Sequence, residues 1–545
     1  MLFKNIIKNR QDFSHNLVFL LINLAIAFIL LFRTAYNASD LEIVPDSVEY
    51  AVAASRLVTD QSYTIVIDGQ SWPPRYAPWF SMLVIAPAYL LFGDEPGNAV
   101  FPIMFAGLLG IGAAFVIGYQ ASGPICGVSA SLSLLVLPLY RYLSMQVMTD
   151  VPCIALLLMA CLLYMRLQTV SSHSWAPYLL AGILSGLCAA FRPVCASVIL
   201  PFLWFIVRNN PKRQAFQKTA LVVTPGLLFA VLTMCYNYSV FGTPMRTGYH
   251  FWCPVPYDQP GMTFSLSYFT DNLEIIAQKG LLLIVLVLLL LILLDMSRHQ
   301  RLIAGSVKES MGSIMEFTIM TCIPMTVFHL FYFYSVPRFY LPLMSLLIIL
   351  AGIMIGLGLH HVSLRTLGFA QLIILVGALT LRLVLPDSPP TRRIAADRIN
   401  HFTPDNALII SAIDPAYLEF TTCRFSQRRI LPISRRVEYA SKLIAWQKAI
   451  ALNPKPTAWW DHRCEGLTKA NAKEVIPHVA DGEEDRLSLA LSNGVPIYLD
   501  TSHLKNEDMK IVMSIRQRFR LVSRSESLFQ VDWNTVKSSA PQPKP

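Results

Sequence analysis

The stretch Pro45-Asp46-Ser47-Val48-Glu49-Tyr50, continued by Arg75-Tyr76-Ala77-Pro78, carries most of the polar chemistry in the first third of the chain. It begins shortly after a long apolar run, Asn16 to Phe32, which is typical of a membrane-spanning helix. Acidic residues alternate with basic and aromatic ones along the loop. We therefore expect this loop to lie at one membrane surface and to hold a catalytic carboxylate.

The composition is that of a polytopic membrane protein. Of the 545 residues, 54% are hydrophobic and only 14% are charged, and the mean hydropathy is +0.49. A soluble protein of this composition would expose apolar surface that it could not cover. The net charge of +10 is spread over short loops and the tail, without a basic arm or an aromatic-interleaved patch, so nucleic acid is not an expected partner.

Eleven apolar runs can each cross a bilayer of about 30 Å as a helix, although the run 177–190 is short and needs a thinned or tilted region. They cover residues 16–32, 98–118, 124–143, 151–167, 177–190, 193–207, 219–241, 280–294, 314–334, 339–359 and 366–385. The first follows three basic residues and lacks a small-residue cleavage site, which predicts a signal anchor.

Orientation follows from the Lys- and Arg-rich connectors, which should face the cytoplasm. They are the N-terminus and residues 208–218, 298–308 and 360–365. All four lie on one side only if Tyr76–Phe92 lies along the surface as an interfacial helix. The C-terminus is then outside, together with the following polar positions: Asp46, Arg75, Asp150, Arg192, the loop 242–278 and Arg338.

The character of the chain changes after residue 385, where Pro386-Asp387-Ser388-Pro389-Pro390 is typical of a linker. Short β-like runs at 407–410, 495–499 and 528–531 alternate with helical stretches at 437–452 and 504–519. We predict three parts: a transmembrane catalytic domain at 1–385, an extracytoplasmic α/β domain at 386–537, and a disordered tail at 538–545.

The cysteines give no metal-ligand spacing. Seven lie inside apolar runs, where a free thiol acts as a small apolar residue. Cys423 and Cys464 lie in the polar tail, and the sequence is compatible with either a disulfide between them or two free thiols. Asn37-Ala38-Ser39 matches a glycosylation sequon, which matters only in a secretory-pathway membrane.

Asp46 and Asp150 are the candidate acids. A partly desolvated carboxylate such as Asp46 can remove a proton from an incoming hydroxyl. Its alternative role is a capping box with Glu49 at the start of a helix. Asp150 is followed closely by Pro152, which is typical of a helix N-cap. Its alternative role is that of a second carboxylate in the site, which binds the acceptor or, with Asp46, a divalent cation.

Three arginines are the candidate anion ligands, because a guanidinium binds phosphate bidentately. They are Arg75, Arg192 and Arg338. The alternative is that these side chains reach the lipid headgroups beside aromatic residues. His329 is expected to pack within the helix bundle, and a functional role is its alternative.

Several short sequences, in this order, resemble the integral-membrane glycosyltransferases of the GT-C superfamily. The nearest groups are the protein O-mannosyltransferases and the bacterial lipid A aminoarabinose transferases, and the resemblance covers about residues 15–385. Two positions depart from it: relatives have an Asp-Glu pair where this chain has Asp46-Ser47, and a Lys where it has Trp72. The matching stretches are residues 46–50, 73–78, 90–93, 150–152, 186–193 and 337–342.

The resemblance implies transfer of a sugar, with inversion, from a polyprenyl-phosphate donor to a glycan, lipid or protein acceptor. The reaction would take place on the outer face of a bacterial inner membrane, with membrane lipid around the protein. Asp46 matches the catalytic position, and the substrate-binding positions are Glu49, Tyr50, Arg75, Tyr76, Asp150, Arg192 and Arg338.

Two other classes of function remain open at this point. If the chain is a lipid or glycan transporter or a flippase, we expect charged or broken helices at the bilayer midplane and paired repeats. If the chain is instead a non-catalytic membrane scaffold that presents residues 386–545, Asp46→Asn should leave any activity unchanged. The sequence has no Walker motif, which argues against ATP-driven transport.

Overall fold

A computed structural model describes most of the chain up to residue 411 and parts of the remainder. The described residues are 10–36, 45–67, 70–94, 96–169, 174–252, 257, 260–278, 305–359, 362–384, 391–404, 406–411, 429–432, 487–488, 490–504 and 509–533. Several predictions fall outside them: the span 280–294, the sequon, the linker 386–390, the stretch 437–452, Cys423, Cys464 and the tail 538–545.

The described chain is mainly helical. Its helices are α1 Arg10–Tyr36, α2 Pro45–Thr59, α3 Ala86–Phe92, α4 Val100–Ser122, α5 Pro124–Val136, α6 Pro138–Leu143, α7 Asp150–Thr169, α8 Ala176–Phe191, α9 Leu200–Asn209, α10 Lys212–Phe241, α11 Gly248–Trp252, α12 Pro260–Thr263, α13 Phe269–Gln278, α14 Gly305–Leu330, α15 Leu341–Gly358, α16 Leu364–Val384, α17 Thr391–Phe402 and α18 Met509–Arg518.

Prolines divide two of the predicted spans. The run 124–143 is not one helix, because α5 ends at Leu137 in extended backbone and α6 begins at Pro138. Proline has no N–H to donate, and it disfavours the helical conformation of the residue before it. The run 193–207 likewise begins as a 3₁₀ helix, Pro193–Ile199, which α9 continues.

Contacts divide the chain into two compact units. The first comprises Met1–Ala38, Ala99–Tyr236 and Thr263–Ser388, and the second comprises Ser39–Asn98, Asn237–Met262 and Pro389–Pro545. The predicted domain boundaries remain predictions, and the one after residue 385 lies close to the division at 388.

The first unit is a helix bundle whose closest contacts depend on small residues. A Cβ on Gly352 of α15 would lie 2.6 Å from the Ala130 Cα of α5, and one on Gly356 would lie 2.6 Å from the Cys126 Cα. Both distances are shorter than any ordinary carbon contact. Glycines four residues apart let two helix backbones approach closely, which is the usual basis of packing in membranes.

Buried amides join three further helices of this unit. Asn23 of α1 donates to the Ser131 hydroxyl of α5 at 2.8 Å. Gln371 of α16 donates to the Asn23 side-chain oxygen, also at 2.8 Å. Interhelical hydrogen bonds of this kind satisfy polar groups that have no water available inside a bilayer.

Among the residues that the structure describes, five helices are long and apolar enough to cross a membrane, and six shorter apolar helices accompany them. The five are Gly97–Ser122, Asp150–Thr169, Lys212–Phe241, Glu309–Leu330 and Pro337–Gly358. The chain is an integral, multi-pass membrane protein. The eleven crossings and their orientation stay a prediction.

In the second unit, the first loop contains α2, a short hairpin and α3. Strand β1 (Ile65–Ile67) pairs antiparallel with β2 (Gln70–Trp72). A π-helical turn, Ser81–Ile85, leads into α3, and together they form a helix of twelve residues. At 1.5 Å per residue this helix is about 18 Å long, too short for a bilayer of about 30 Å. Its exposed apolar end (Leu90, Leu91 and Phe92) fits the interfacial placement that the sequence predicts.

The C-terminal part of this unit contains a five-stranded mixed sheet in the order β4-β3-β5-β7-β6. The strands are β3 Leu408–Ser411, β4 Arg429–Pro432, β5 Ile497–Asp500, β6 Phe519–Ser523 and β7 Leu528–Trp533. Strands β4, β3 and β5 run parallel, whereas β7 pairs antiparallel with both β5 and β6.

The sheet confirms the predicted strands near 407–410, 495–499 and 528–531. Alternate residues of β3 and β5, such as Leu408 with Ile410, join Val512 and Ile515 of α18 in one core. The predicted helix 504–519 extends too far, because α18 ends at Arg518 and Phe519 begins β6. Phe519 is buried in the same core, so tertiary packing decides its conformation.

Candidate functional site

In the first loop, Arg75 joins the two acids that the sequence singles out. Its Nε donates to Glu49 Oε1 at 2.7 Å, and its Nη2 lies 3.1 Å from Asp46 Oδ1. Its backbone N–H also donates to Glu49 Oε2 at 3.3 Å. The planar guanidinium offers several donors at fixed angles, so it can hold two carboxylates at once.

Helix α2 places the acids on one face. It begins at Pro45, a favourable first residue, with Asp46 in its first turn near the positive end of the helix dipole. Glu49 follows three residues later, and residues at this spacing are neighbours on a helix surface. The Glu49 carboxylate accepts hydrogen bonds from Arg75, and the capping box with Asp46 stays a prediction.

The two acids differ in burial. The Glu49 side chain is 1% exposed, whereas that of Asp46 is 14% exposed. Burial raises the pKa of Glu49 above its ordinary value, although the adjacent Arg75 acts in the opposite direction. Asp46 is therefore the more accessible carboxylate of the pair, and Glu49 is the one on which Arg75 is anchored.

Aromatic rings surround this group. Tyr50 stacks on Tyr76 with ring centroids 4.4 Å apart, and Tyr249 meets Tyr76 edge to face at 5.6 Å. The Arg75 guanidinium lies 5.3 Å from the Tyr76 ring centroid. Burial raises the pKa of Tyr76 well above its ordinary value, so its hydroxyl is protonated at neutral pH. The predicted residues Asp46, Glu49, Tyr50, Arg75 and Tyr76 thus lie together.

Gly248 is a residue of this group that the sequence analysis missed. A Cβ on it would lie 2.5 Å from the Arg75 Cα and from the Pro74 carbonyl oxygen. Only glycine lets the chain at the start of α11 lie so close to the Arg75 backbone. A lone glycine in a loop carries no signal for this contact, since the partner lies far away in sequence.

In the first unit, Asp150 and Arg192 form a buried ion pair. Arg192 Nη1 donates to Asp150 Oδ1, and Asp150 is 2% exposed. Asp150 begins α7, and Arg192 ends α8 in extended backbone just before Pro193. Burial acts to lower the pKa of Arg192, but the Asp150 carboxylate outweighs it and the pKa lies above its ordinary value.

Arg338 extends this pair. Its Nη1 lies 4.0 Å from Asp150 Oδ2 and 3.6 Å from the Met148 sulfur. The Phe339 ring lies near both arginines, with each guanidinium carbon 5.7 Å from the ring centroid. The structure thus brings Asp150, Arg192 and Arg338 together, as the sequence predicts.

His329 packs against the same ring. Its imidazole stacks on Phe339 with centroids 4.3 Å apart and an interplanar angle of 19°. It lies near the end of α14 and is 4% exposed. The expectation that it packs within the helix bundle agrees with this placement.

Metal binding at Asp46 or Asp150 finds no support in the side chains around them. Within the part of the chain that the structure describes, no three His, Cys, Asp or Glu residues lie close enough together to hold a metal ion. Each of the two acids instead lies against an arginine.

The chain is similar to a known family in sequence and to known structures in fold. Residues 74–238 match the family model of dolichyl-phosphate-mannose-protein mannosyltransferase. ArnT from Cupriavidus metallidurans bound to undecaprenyl phosphate superposes with a TM-score of 0.52, at 14% identity, over 96% of this chain and 99% of that one. The chain has the ArnT fold. The apo ArnT of the same organism gives a TM-score of 0.51 at 13% identity, over 94% of this chain and 97% of that one.

The ArnT fold confirms the predicted fold class, a helical polytopic membrane domain followed by a small α/β region. The resemblance to GT-C glycosyltransferases, drawn from the order of short sequences, is confirmed as well. Both findings agree with the prediction of a membrane glycosyltransferase. No curated protein sequence matches the chain.

Proposed function

We propose that the chain transfers one sugar from a polyprenyl-phosphate donor to an acceptor hydroxyl, with inversion at the anomeric carbon. The observation that carries this proposal is the match, over 96% of the chain, to the fold of an ArnT bound to undecaprenyl phosphate. The match of residues 74–238 to a mannosyltransferase family supports the same class of reaction. A lipid-linked donor also accounts for the position of Asp150, Arg192 and Arg338 at the ends of apolar helices.

Asp46 is the proposed catalytic base. Its side chain is 14% exposed, whereas the neighbouring Glu49 is 1% exposed, so a substrate hydroxyl can approach Asp46. Arg75 lies 3.1 Å from the Asp46 carboxylate and fixes its position. General-base assistance of this kind typically contributes about 10²- to 10⁴-fold in rate. Tyr50 and Tyr76, stacked beside the acids, are proposed to bind substrate through their rings.

In the proposed step, the acceptor oxygen forms a bond to the anomeric carbon as its proton passes to Asp46. The bond between that carbon and the phosphate oxygen breaks, and its electron pair leaves with the polyprenyl phosphate. The leaving group gains one negative charge, so it needs charge stabilisation more than it needs an acid. Arg192 and Arg338 are proposed to provide this stabilisation.

Asp150 and Arg75 are proposed as positioning residues for these groups. Asp150 is 2% exposed and bonded to Arg192, so it orients that guanidinium towards the phosphate. Arg75 was predicted as a phosphate contact, and its contacts with Asp46 and Glu49 support the role of holding the base instead.

The proposed setting is a bacterial inner membrane, with the N-terminus in the cytoplasm and residues 386–537 outside. Basic residues in the connectors 208–218 and 298–308 support this orientation. The acceptor is a hydroxyl of a glycan, a lipid or a protein, and the extracytoplasmic domain lies on the side where such acceptors are found.

Transfer assays test the proposal directly. The purified protein is incubated with a panel of polyprenyl-phosphate sugars and acceptors, beside Asp46→Asn and the control Asp60→Asn. Asp60 lies in the same loop but forms an exposed pair with Arg56, one turn away. We expect Asp46→Asn to lose about 10²- to 10⁴-fold in kcat and the control to retain the parent rate.

Two outcomes would contradict this assignment. Transfer by Asp46→Asn at the parent rate would remove Asp46 from the mechanism. Movement of the lipid-linked sugar across a liposome membrane, without transfer to any acceptor, would favour a flippase.

A further inference from the structure

His329 is a buried polar side chain that the proposed mechanism does not use. It is 4% exposed, and among the described residues neither ring nitrogen has a hydrogen-bond partner. Its surroundings are aromatic: Phe339 stacks on it, and Phe328, Tyr332 and Tyr340 lie at 5.3, 6.2 and 6.2 Å between ring centroids.

Packing alone does not account for an imidazole at this position. A neutral imidazole carries one N–H donor and one acceptor nitrogen, and burying such groups without partners is unfavourable. A phenylalanine would fill the same aromatic surroundings without that cost. A partner for its ring nitrogens in the working state would remove that cost.

The neighbours of His329 indicate the chemistry of that partner. The Phe339 ring on which it stacks also lies 5.7 Å from each guanidinium carbon of Arg192 and Arg338. One aromatic ring thus connects an imidazole and two guanidinium groups on three different segments of the first unit. Groups of this kind converge on oxyanions, and phosphate is the oxyanion that a guanidinium fits best.

We propose that His329 is a phosphate-binding residue, which donates its ring N–H to a phosphate oxygen of the lipid-linked donor. This inference rests on the proposed function and deepens it. Arg192 and Arg338 supply charge to the phosphate, whereas His329 supplies a directed hydrogen bond from a rigid, stacked ring. The bond also satisfies a buried donor that has no other partner among the described residues. Because a charged acceptor forms the stronger hydrogen bond, it favours the phosphate over an uncharged lipid alcohol.

Binding to two lipids that differ only in the phosphate tests the inference. The full-length protein is titrated with undecaprenyl phosphate and with undecaprenol in detergent. The variants are His329→Phe, which keeps the stacked ring without an N–H, and His329→Gln, which restores an N–H. His401→Phe, at an exposed histidine in α17, is the control.

We expect His329→Phe to weaken undecaprenyl phosphate binding by about ten-fold or more, as hydrogen bonds to charged groups do. His329→Gln should recover most of that loss, and undecaprenol binding should not change in any variant. In transfer assays, the Phe variant should raise the KM for the donor and leave the KM for the acceptor unchanged.

Other results would overturn the inference. Equal binding of undecaprenyl phosphate by the parent and His329→Phe would remove His329 from the phosphate site. An equal loss for both lipids would assign it to packing. If His329→Phe does not fold, His329→Met, which also lacks an N–H, applies the same test. If the parent binds neither lipid, the proposed function itself fails. If the parent and His329→Phe bind undecaprenyl phosphate equally well, only the inference about His329 fails.

Discussion

At the scale of single residues, the carboxylates of the two acid–arginine groups differ in how exposed they are. Glu49 and Asp46 share Arg75, yet Glu49 is 1% exposed and Asp46 is 14% exposed. Asp150 is nearly as buried as Glu49 and is likewise bonded to an arginine. The two most buried acids each hold a guanidinium group, and Asp46 is the most exposed of the three.

Removing Arg75 should be strongly destabilising. In Arg75→Met the buried Glu49 loses its partner, and breaking a buried ion pair typically costs about 3–5 kcal/mol. The matched control is Arg56→Met, whose partner Asp60 is about half exposed, so a loss below about 1 kcal/mol is expected there. The free energy of unfolding, measured in detergent with denaturant, distinguishes them. Similar small losses in both variants would show that Glu49 is not anchored by Arg75.

The residue types of the two acid–arginine groups were predictable from sequence, but the pairing within each group was not. Asp46, Arg75, Asp150, Arg192 and Arg338 were identified because ionisable residues are rare and conspicuous beside apolar runs. The sequence suggested that Arg75 contacts phosphate, whereas its contacts in the structure are two carboxylates. Gly248 was missed because its close contact with Arg75 has no local pattern.

At the scale of elements, the positions of the helices follow the apolar runs closely, and their breaks follow proline. Helices α4, α7 and α8 occupy the predicted runs to within a few residues at either end. The run 124–143 fails as a single helix at Leu137, directly before Pro138. Hydrophobicity places a helix in the membrane, but the lost N–H of proline decides where that helix ends.

The contact between α5 and α15 depends on the glycine pair of α15. In Gly356→Ala the new Cβ would lie 2.6 Å from the Cys126 Cα, so the two helices must separate. We expect a loss of about 1–3 kcal/mol, as for other overpacked sites, and a lower Tm in detergent. Gly358→Ala is the control, since nothing lies within 4 Å of its new Cβ. A Tm for Gly356→Ala equal to that of the control would show that this contact is not close in the folded protein.

At the scale of the whole molecule, the chain is a multi-pass membrane protein with the ArnT fold along nearly all its length. The bundle is held by glycine contacts and by buried amides such as Asn23 and Gln371. The number of crossings depends on a count along the entire chain, including the run 280–294, which lies outside the described residues.

Surface labelling checks the predicted orientation. Cysteines introduced at Asp60 and His401, both exposed, should react with a membrane-impermeant maleimide added to intact cells. Lys212→Cys, in a basic connector predicted to be cytoplasmic, should react only after the cells are opened. The parent chain gives the background from native thiols, of which Cys235 is exposed. Labelling of position 212 in intact cells would contradict the topology.

The sequence by itself determined the membrane class, most helix positions, the identity of the candidate site residues and the resemblance to GT-C enzymes. These properties depend on composition and on short runs, which are local along the chain. Tertiary structure decided which acid meets which arginine, since Arg75 and Glu49 are 26 residues apart and Arg192 and Asp150 are 42 apart. Among the described residues, it also leaves both ring nitrogens of His329 without a hydrogen-bond partner. Contacts between distant residues depend on how helices pack, and packing responds to side-chain shape and burial that no local pattern records.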